Sequence, residues 1–157
     1  KIVVRDMWEN PTQNSFFIVT TNGAFTQKGI NYGKRGGFVG YTEIPGIALD
    51  AANLIKNKGK QIQGWIYEYG FLAVKEIQNG SIAGYGLFQT KYDFRNPSPL
   101  SLIEKSAHNL SSYANQHPDW CFRLNFPGIG YGGLDAGSVL PVLECLPDNV
   151  LIFVKRN

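Results

Sequence analysis

A glycine-rich run is the most visible chemical feature of this 157-residue sequence. Four of the six residues from Gly128 to Gly133 are glycines, and the run lies between a predicted strand and a predicted helix. Glycines let backbone N–H groups approach an anion, and the N-terminus of the next helix adds partial positive charge. The pattern predicts a phosphate or diphosphate site. It is equally compatible with a turn that only packs closely, because it matches neither the dinucleotide-binding nor the P-loop signature.

A second polar segment, Thr90–Arg95, follows the predicted strand Ile82–Phe88. Open α/β sheets present ligand-facing residues beyond the carboxyl ends of their strands. There Lys91 would serve as a nucleophile or a phosphate partner, and Arg95 would make a forked contact with an anion. The alternative for both is a solvated strand end.

Two more polar residues follow predicted strands near the start of the chain. Asn22 comes after Phe16–Thr20 and suits hydrogen bonding to sugar hydroxyls, whereas Asp6 comes after Ile2–Arg5 and would accept from an exocyclic amine. An Asn-Gly turn and a surface cap are equally compatible with these two positions.

The sequence offers little support for metal or hydrolase chemistry of other kinds. His108 and His117 have no carboxylate or cysteine at metal-ligand spacing, and Cys121 and Cys145 lie in no nucleophile, zinc or disulfide pattern. No Gly-x-Ser-x-Gly elbow occurs. We therefore predict no metal site.

Composition favours one globular domain over residues 1–157. Hydrophobic residues make up 43% and charged residues 17% of the chain, and no run of about 18 apolar residues offers a membrane span. The net charge of +3 is compatible with an anionic ligand or nucleic acid and decides neither. The unpaired cysteines and the lack of a signal-peptide pattern after Lys1 lead us to expect a soluble, cytoplasmic protein without membrane association.

The remaining elements are predicted from periodicity and turn residues. Ser98 would cap a helix over Ser98–Ala114, with Pro99 in its first turn, and Gly23–Gly46 would form a long loop with a short helix around Ile30–Lys34. Further helices are expected from Ile47 to a stop at Gly59 and from near Asp135; strands are expected at Ile2–Arg5, Phe16–Thr20, Trp65–Tyr69, Phe122–Phe126 and Asn149–Val154, and a hairpin at Phe71–Ile77 and Ile82–Phe88. This order predicts a sheet covered by helices on both faces.

Read together, these segments resemble the macrodomain family across nearly the whole chain. The resemblance rests on Ile18–Gly23 with Lys28-Gly29-Ile30, on Thr90–Ser98 and on Pro127–Asp135. It is strongest to the branch of DNA ADP-ribosyl glycohydrolases that act as antitoxins to DNA-modifying ADP-ribosyltransferases, in which a Thr-Lys-x-x-aromatic-Arg segment precedes a Ser-capped helix.

The resemblance implies a three-layer α/β/α macrodomain-like fold with a mixed central sheet, and ADP-ribose, as ligand or product, across the strand ends without another cofactor. It implies that Asp6 meets the adenine amine, that Asn22 and the Lys28-Gly29-Ile30 loop surround the distal ribose, and that Lys91 is the catalytic lysine. With Lys91 and Asn22 as the catalytic pair, the implied ligand-binding residues are Asp6, Met7, Gln27, Lys28, Gly29, Ile30, Thr90, Arg95, Gly128, Ile129, Gly130, Tyr131, Gly132 and Gly133.

The sequence also departs from the family pattern. Phe94 and Ala136 stand where relatives often have Trp, Ile129 where they have a small residue or Cys, and Gly132 where some lysine-dependent relatives have an acid. Three functions stay open: hydrolysis of ADP-ribose from a nucleic-acid base or protein side chain, non-catalytic reading of ADP-ribose, and processing of small derivatives such as ADP-ribose 1″-phosphate. Lys91 favours the first and the missing acid favours the second. The sequence does not determine the oligomeric state.

Overall fold

The structure is a computed structural model that describes residues 1–23, 25–26, 29–30, 47–64, 66–77, 82–93 and 95–154. Its strands are β1 Ile2–Val4, β2 Ser15–Asn22, β3 Phe25–Thr26, β4 Gly29–Ile30, β5 Lys60–Gln63, β6 Ile66–Glu68, β7 Phe71–Glu76, β8 Ile82–Lys91, β9 Cys121–Asn125 and β10 Val150–Val154. Its α-helices are α1 Ile47–Lys58, α2 Leu100–Asn115 and α3 Ala136–Leu143.

Six strands form a central mixed sheet in the order β1-β10-β9-β2-β8-β7. The first five are parallel to their neighbours, and β7 pairs antiparallel with β8 as the predicted hairpin requires. Because the five strands are parallel, their carboxyl ends meet along one side of the sheet, which we call the carboxyl edge.

The sheet is covered on both faces because alternate residues of β2 point to opposite sides. Phe16 and Ile18 belong to a core cluster that includes residues of α2 and α3. Val19 packs with residues of α1, and Phe17 packs with Met7 from the segment after β1. The predicted three-layer α/β/α arrangement with a mixed sheet is confirmed.

The helix α2 buries the stripe that its periodicity predicts, but the capping prediction is wrong. Its N-cap is Pro99, whose carbonyl accepts the Leu102 N–H at 3.1 Å. Ser98 lies one residue before this cap, because Pro99 is extended, with φ −74° and ψ 130°, and α2 begins only at Leu100. The Ser98 backbone N–H donates to the Gly132 carbonyl at 2.8 Å, and a residue before proline avoids the helical region. The buried Ser98 hydroxyl has no hydrogen-bond partner among the described residues.

Other predicted elements differ in extent. The strands β2 and β8 continue to Asn22 and Lys91, further than predicted, and β5 adds an unpredicted partner for β6. Within Gly23–Gly46, predicted as a loop, β3 and β4 form a short antiparallel pair, so Ile30 is in a strand. The rest of the predicted helix at Ile30–Lys34 and the Asn79-Gly80 turn lie outside the described residues.

Candidate functional site at the carboxyl edge

The predicted site residues follow one another along the carboxyl edge. Asp6 follows β1 at one end, the glycine loop Gly128–Gly133 follows β9 in the middle, and Asn22 and Lys91 end the neighbouring strands β2 and β8. The order along the edge therefore differs from the order along the chain. Together these residues form a line of polar side chains and glycine backbone. The line is long enough for an extended ligand, since adjacent strands are about 4.8 Å apart.

An irregularity in β8 brings Lys91 beside Asn22. Thr21 is the Cα partner of Gln89, and the next residue Asn22 is the partner of Lys91, so Thr90 is an extra residue within the described strands. The buried Thr90 hydroxyl donates to the Thr21 carbonyl at 3.3 Å. Such bulges bend a strand, re-aim its side chains and are frequent beside active sites. The pairing puts the two predicted catalytic residues side by side.

Gln89 braces this bulge, and sequence reasoning missed it. Its side chain is fully buried. The amide oxygen accepts the backbone N–H groups of Tyr69 at 2.8 Å and Gly70 at 3.0 Å. The amide nitrogen donates to the carbonyl oxygens of Tyr67 at 2.9 Å and Lys91 at 3.1 Å. A glutamine near a strand end carries no local signal of this role, because three of its four partners lie about 20 residues earlier, in β6 and in the turn after it.

Gly23 is held against the same group. Its N–H donates to the Lys91 carbonyl at 3.0 Å, and its own carbonyl accepts the Tyr67 N–H at 2.8 Å. A Cβ atom at Gly23 would collide with the Tyr67 carbonyl oxygen and come within 2.5 Å of the Gln89 amide nitrogen. Close packing therefore requires a glycine here.

The glycine loop has the backbone form that its composition predicts. Gly128, Gly130 and Gly133 have φ angles of 81°, 68° and 75°, and Gly130–Gly132 form a short 3-10 helix. Left-handed angles of this kind favour glycine. The loop is tied to the start of α2 through the bond from the Ser98 N–H to the Gly132 carbonyl.

A side chain at position 132 of the glycine loop would require the Ser98 side chain to move. A Cβ atom at Gly132 would lie 2.6 Å from the Ser98 hydroxyl oxygen. Residues 127–134 contain no carboxylate. An acid at this position would first have to displace Ser98.

Asp6 and Met7 follow β1 with different exposure. The Asp6 carboxylate accepts the Trp8 N–H at 2.9 Å, which shapes the turn. The Met7 side chain is buried with Phe17 and Phe153. Any contact of Met7 with a ligand would therefore come from its backbone.

Arg123 fixes the turn that carries Asp6, and sequence reasoning missed it too. It is fully buried in β9. Its guanidinium donates to the carbonyl oxygens of Met7 and Glu9, each at 2.8 Å, and of Asn10 at 2.9 Å. The guanidinium also lies 5.1 Å from the centre of the Phe153 ring. Burial lowers the pKa of Arg123, but an arginine stays charged in proteins, so these three carbonyls keep their donor.

Arg95, predicted to contact an anion, pairs with Asp93. Its guanidinium donates to the two carboxylate oxygens at 3.0 and 2.5 Å, and its backbone N–H donates to the same carboxylate at 3.0 Å. These hydrogen bonds hold the pKa of Asp93 below its ordinary value. The Arg95 side chain is 72% exposed, so it remains accessible at the surface.

The remaining predicted site residues lie partly outside the part of the chain that the structure describes. Gln27, Lys28 and Phe94 lie outside the described residues, and Gly29 and Ile30 form β4. Among the described residues, no group of three His, Cys, Asp or Glu side chains is placed to hold a metal ion, and no helix is long and apolar enough to cross a membrane.

No protein-family profile and no curated protein matches the sequence. Solved structures do match the fold. The macrodomain of Mycobacterium tuberculosis DarG superposes with a TM-score of 0.67 at 18% identity over 98% of both chains. The macrodomain of Thermus aquaticus DarG gives 0.66 at 19% identity over 100% of both chains. A structure of Thermosipho africanus DarTG in complex with ADP-ribose gives 0.71 at 18% identity over 99% of this chain, which spans 42% of the DarTG chain. This chain therefore has the macrodomain fold.

Proposed function

We propose that this protein, which has the macrodomain fold, binds ADP-ribose along its carboxyl edge and uses Lys91 to hydrolyse ADP-ribosyl linkages on a nucleic-acid base or protein side chain. The observation that carries the proposal is the β8 bulge, which pairs Lys91 with Asn22 beside the glycine loop. The similar fold of Thermosipho africanus DarTG, solved with ADP-ribose, supports the choice of ligand.

The order of groups along the carboxyl edge matches the order of groups in ADP-ribose. Asp6 would accept a hydrogen bond from the adenine amine at one end. The glycine loop would bind the diphosphate through backbone N–H groups, and Asn22 would hold the distal ribose at the other end. Such an arrangement fixes the anomeric carbon of that ribose near Lys91.

Lys91 would act at this anomeric carbon in one of two ways. As a nucleophile, its neutral amine forms a C–N bond as the bond to the acceptor breaks, the acceptor leaves with a proton, and water then releases ADP-ribose. As a fixed cation, it stabilises charge that develops on the leaving group while water attacks. Both routes depend on positioning, which the pairing with Asn22 supplies.

A second function, reading ADP-ribose without cleavage, is favoured by the glycine loop. The loop carries no carboxylate, and Ser98 occupies the space at Gly132. If the chemistry requires an acid there, the protein would bind and hold its ligand.

Cleavage is tested with ADP-ribosylated DNA, ADP-ribosylated protein and ADP-ribose 1″-phosphate as separate substrates. We expect Lys91→Ala to slow release from the preferred substrate by about 10²-fold or more, since it removes the group that acts at the reacting carbon. Lys75→Ala is the matched control because Lys75 is exposed on β7, away from the carboxyl edge. It should leave the rate unchanged.

Binding is tested by titration calorimetry with free ADP-ribose. We expect Lys91→Ala to keep the affinity of the unchanged protein within a few-fold, because the diphosphate and adenine contacts remain. The absence of heat at millimolar ADP-ribose would contradict both functions. Binding without release from any substrate would favour the reader, and release that survives Lys91→Ala would remove Lys91 from the mechanism.

A further inference from the structure

We propose that Gln89 is a positioning residue for Lys91: its buried amide holds the β8 bulge that pairs Lys91 with Asn22. This role rests on the proposed function of Lys91. Gln89 belongs to none of the site residues that the sequence indicates, and its side chain does not need to touch the ligand.

The chemistry of the Gln89 pocket fits a neutral amide. Two backbone N–H groups, of Tyr69 and Gly70, face the amide oxygen, and two carbonyl oxygens, of Tyr67 and Lys91, face the amide nitrogen. A side-chain amide supplies both an acceptor and two donors. A carboxylate would set an oxygen against two carbonyl oxygens, and a methionine of similar length would remove all four of these hydrogen bonds.

The Lys91 carbonyl is one of the groups that this amide holds in place. It accepts from the Gln89 amide nitrogen at 3.1 Å and from the Gly23 N–H at 3.0 Å. Without the first bond, β8 is free to relax toward the regular register, in which Thr90 is the partner of Asn22. Lys91 would then move along the strand by about 3.3 Å. A displacement of about 1 Å can already cost about 10²-fold in rate.

A second side-chain amide, that of Asn149 at the amino end of the sheet, provides the matched control. Asn149 precedes β10, and its side-chain nitrogen donates to the carbonyls of Ala114 at 3.2 Å, His117 at 3.0 Å and Trp120 at 3.2 Å. Asn149→Asp makes the same chemical change as Gln89→Glu. It removes support from the amino end of the sheet and has no contact with the carboxyl edge.

The first experiment compares the unchanged protein with Gln89→Glu, Gln89→Met and Asn149→Asp in single-turnover release. At about pH 8 we expect Gln89→Glu to lower the rate about 10²-fold while the dissociation constant for ADP-ribose changes by less than about 5-fold. Asn149→Asp should keep the rate, even where its melting temperature falls as far as that of Gln89→Glu.

The pH dependence separates positioning from a general loss of structure. The N–H groups of Tyr69 and Gly70 would lower the pKa of a carboxyl at position 89, but we expect full burial and the two facing carbonyls to outweigh them and raise it. The protonated form regains one donor. The rate of Gln89→Glu, relative to the unchanged protein, should therefore recover at least about 5-fold between about pH 8 and about pH 6. Gln89→Met should show no recovery. A relative rate of Gln89→Glu that stays equally low at about pH 8 and about pH 6 would contradict the proposal.

The second experiment needs no turnover. The Gly23 N–H donates to the carbonyls of Lys91 at 3.0 Å and Tyr92 at 3.2 Å, which both follow the bulge. Gln89→Glu should therefore speed hydrogen exchange at Gly23 by about 10-fold or more and leave the mid-strand amide of Val19 unchanged. If the unchanged protein releases no ADP-ribose, the proposed function fails, and the Gly23 amide still decides whether Gln89 holds the bulge. Full protection of Gly23 in Gln89→Glu, or loss of that protection without loss of rate, would overturn the inference.

Discussion

At the scale of single residues, the segment after β8 pairs the buried carboxylate of Asp93 with the exposed guanidinium of Arg95. Asp93 is buried, and Arg95 reaches it from the surface with both its side chain and its backbone N–H. The hydrogen bonds from Arg95 hold the pKa of Asp93 below its ordinary value. Asp93 therefore fixes the turn that follows Lys91, and it keeps a guanidinium near the end of the carboxyl edge.

Asp93→Asn should destabilise the protein near neutral pH and have less effect in acid. A carboxyl whose pKa is lower in the folded state stabilises it above the unfolded pKa of about 3.9, and this contribution is lost as the pH falls through the folded pKa. We expect the melting temperature to fall by about 2–4 °C near pH 7. In urea unfolding, the difference between the two proteins should shrink below about pH 4. A difference that grows in acid would contradict the assignment.

At the scale of elements, two of the three left-handed glycines in the glycine loop, Gly128 and Gly130, have different surroundings. A Cβ atom at Gly128 would collide with the Cδ1 atom of the fully buried Ile103 and come within 3.1 Å of Leu134. A Cβ atom at Gly130 would meet no described atom within 4 Å. The first glycine packs the loop against α2, whereas the second provides only its backbone angle.

Alanine substitutions should separate these two requirements. Gly130→Ala should lower the free energy of unfolding by about 1–2 kcal/mol, the cost of a left-handed backbone. Gly128→Ala should lower it by roughly 2–4 kcal/mol, because overpacking against Ile103 adds to the same backbone cost. Urea unfolding of both variants measures the difference. Equal losses would mean that Ile103 moves aside without cost.

At the scale of the whole molecule, the parallel strands separate two ends with different tasks. The carboxyl edge collects Asp6, Asn22, Lys91 and the glycine loop. The amino end is closed by packing: His117 stacks on Trp120 with ring centres 3.8 Å apart, and Asn149 ties the end of α2 to the start of β9 and β10. A ligand at one end should leave the other end unchanged.

Hydrogen exchange with and without ADP-ribose tests this separation. We expect saturating ADP-ribose to slow exchange by about 10-fold or more in residues 5–10, 22–23, 89–93 and 127–134, because bound ligand must leave before these segments open. Residues 113–121 and 147–150 should exchange at the same rate in both conditions. Protection confined to the amino end would place the ligand elsewhere and contradict the site.

The sequence by itself determined the types of element and the residues suited to chemistry. Short stretches of sequence are enough to predict the apolar stripe of α2, the hairpin of β7 and β8, and the glycine run after β9, because periodicity and turn angles are local properties. The order of the elements predicted a sheet covered by helices on both faces, and the resemblance to macrodomains implied the same three layers with a mixed sheet. Lys91 and Asn22 were also candidates from the sequence, because polar side chains at strand ends stand out against an apolar strand.

Only the tertiary structure decided which of these residues meet. The bulge at Thr90 is a matter of register between strands about 70 residues apart, and no local pattern shows how two strands pair. Gln89 and Arg123 bind backbone groups of segments that are distant in the sequence. Nothing in the neighbouring sequence distinguishes them from other polar residues in or beside a strand. The Ser98 cap prediction was wrong because Pro99 is extended and is itself the N-cap of α2, while Ser98 bonds through its backbone N–H to the distant Gly132 carbonyl. Local composition can supply candidate groups, but long-range hydrogen bonding and packing fix their positions.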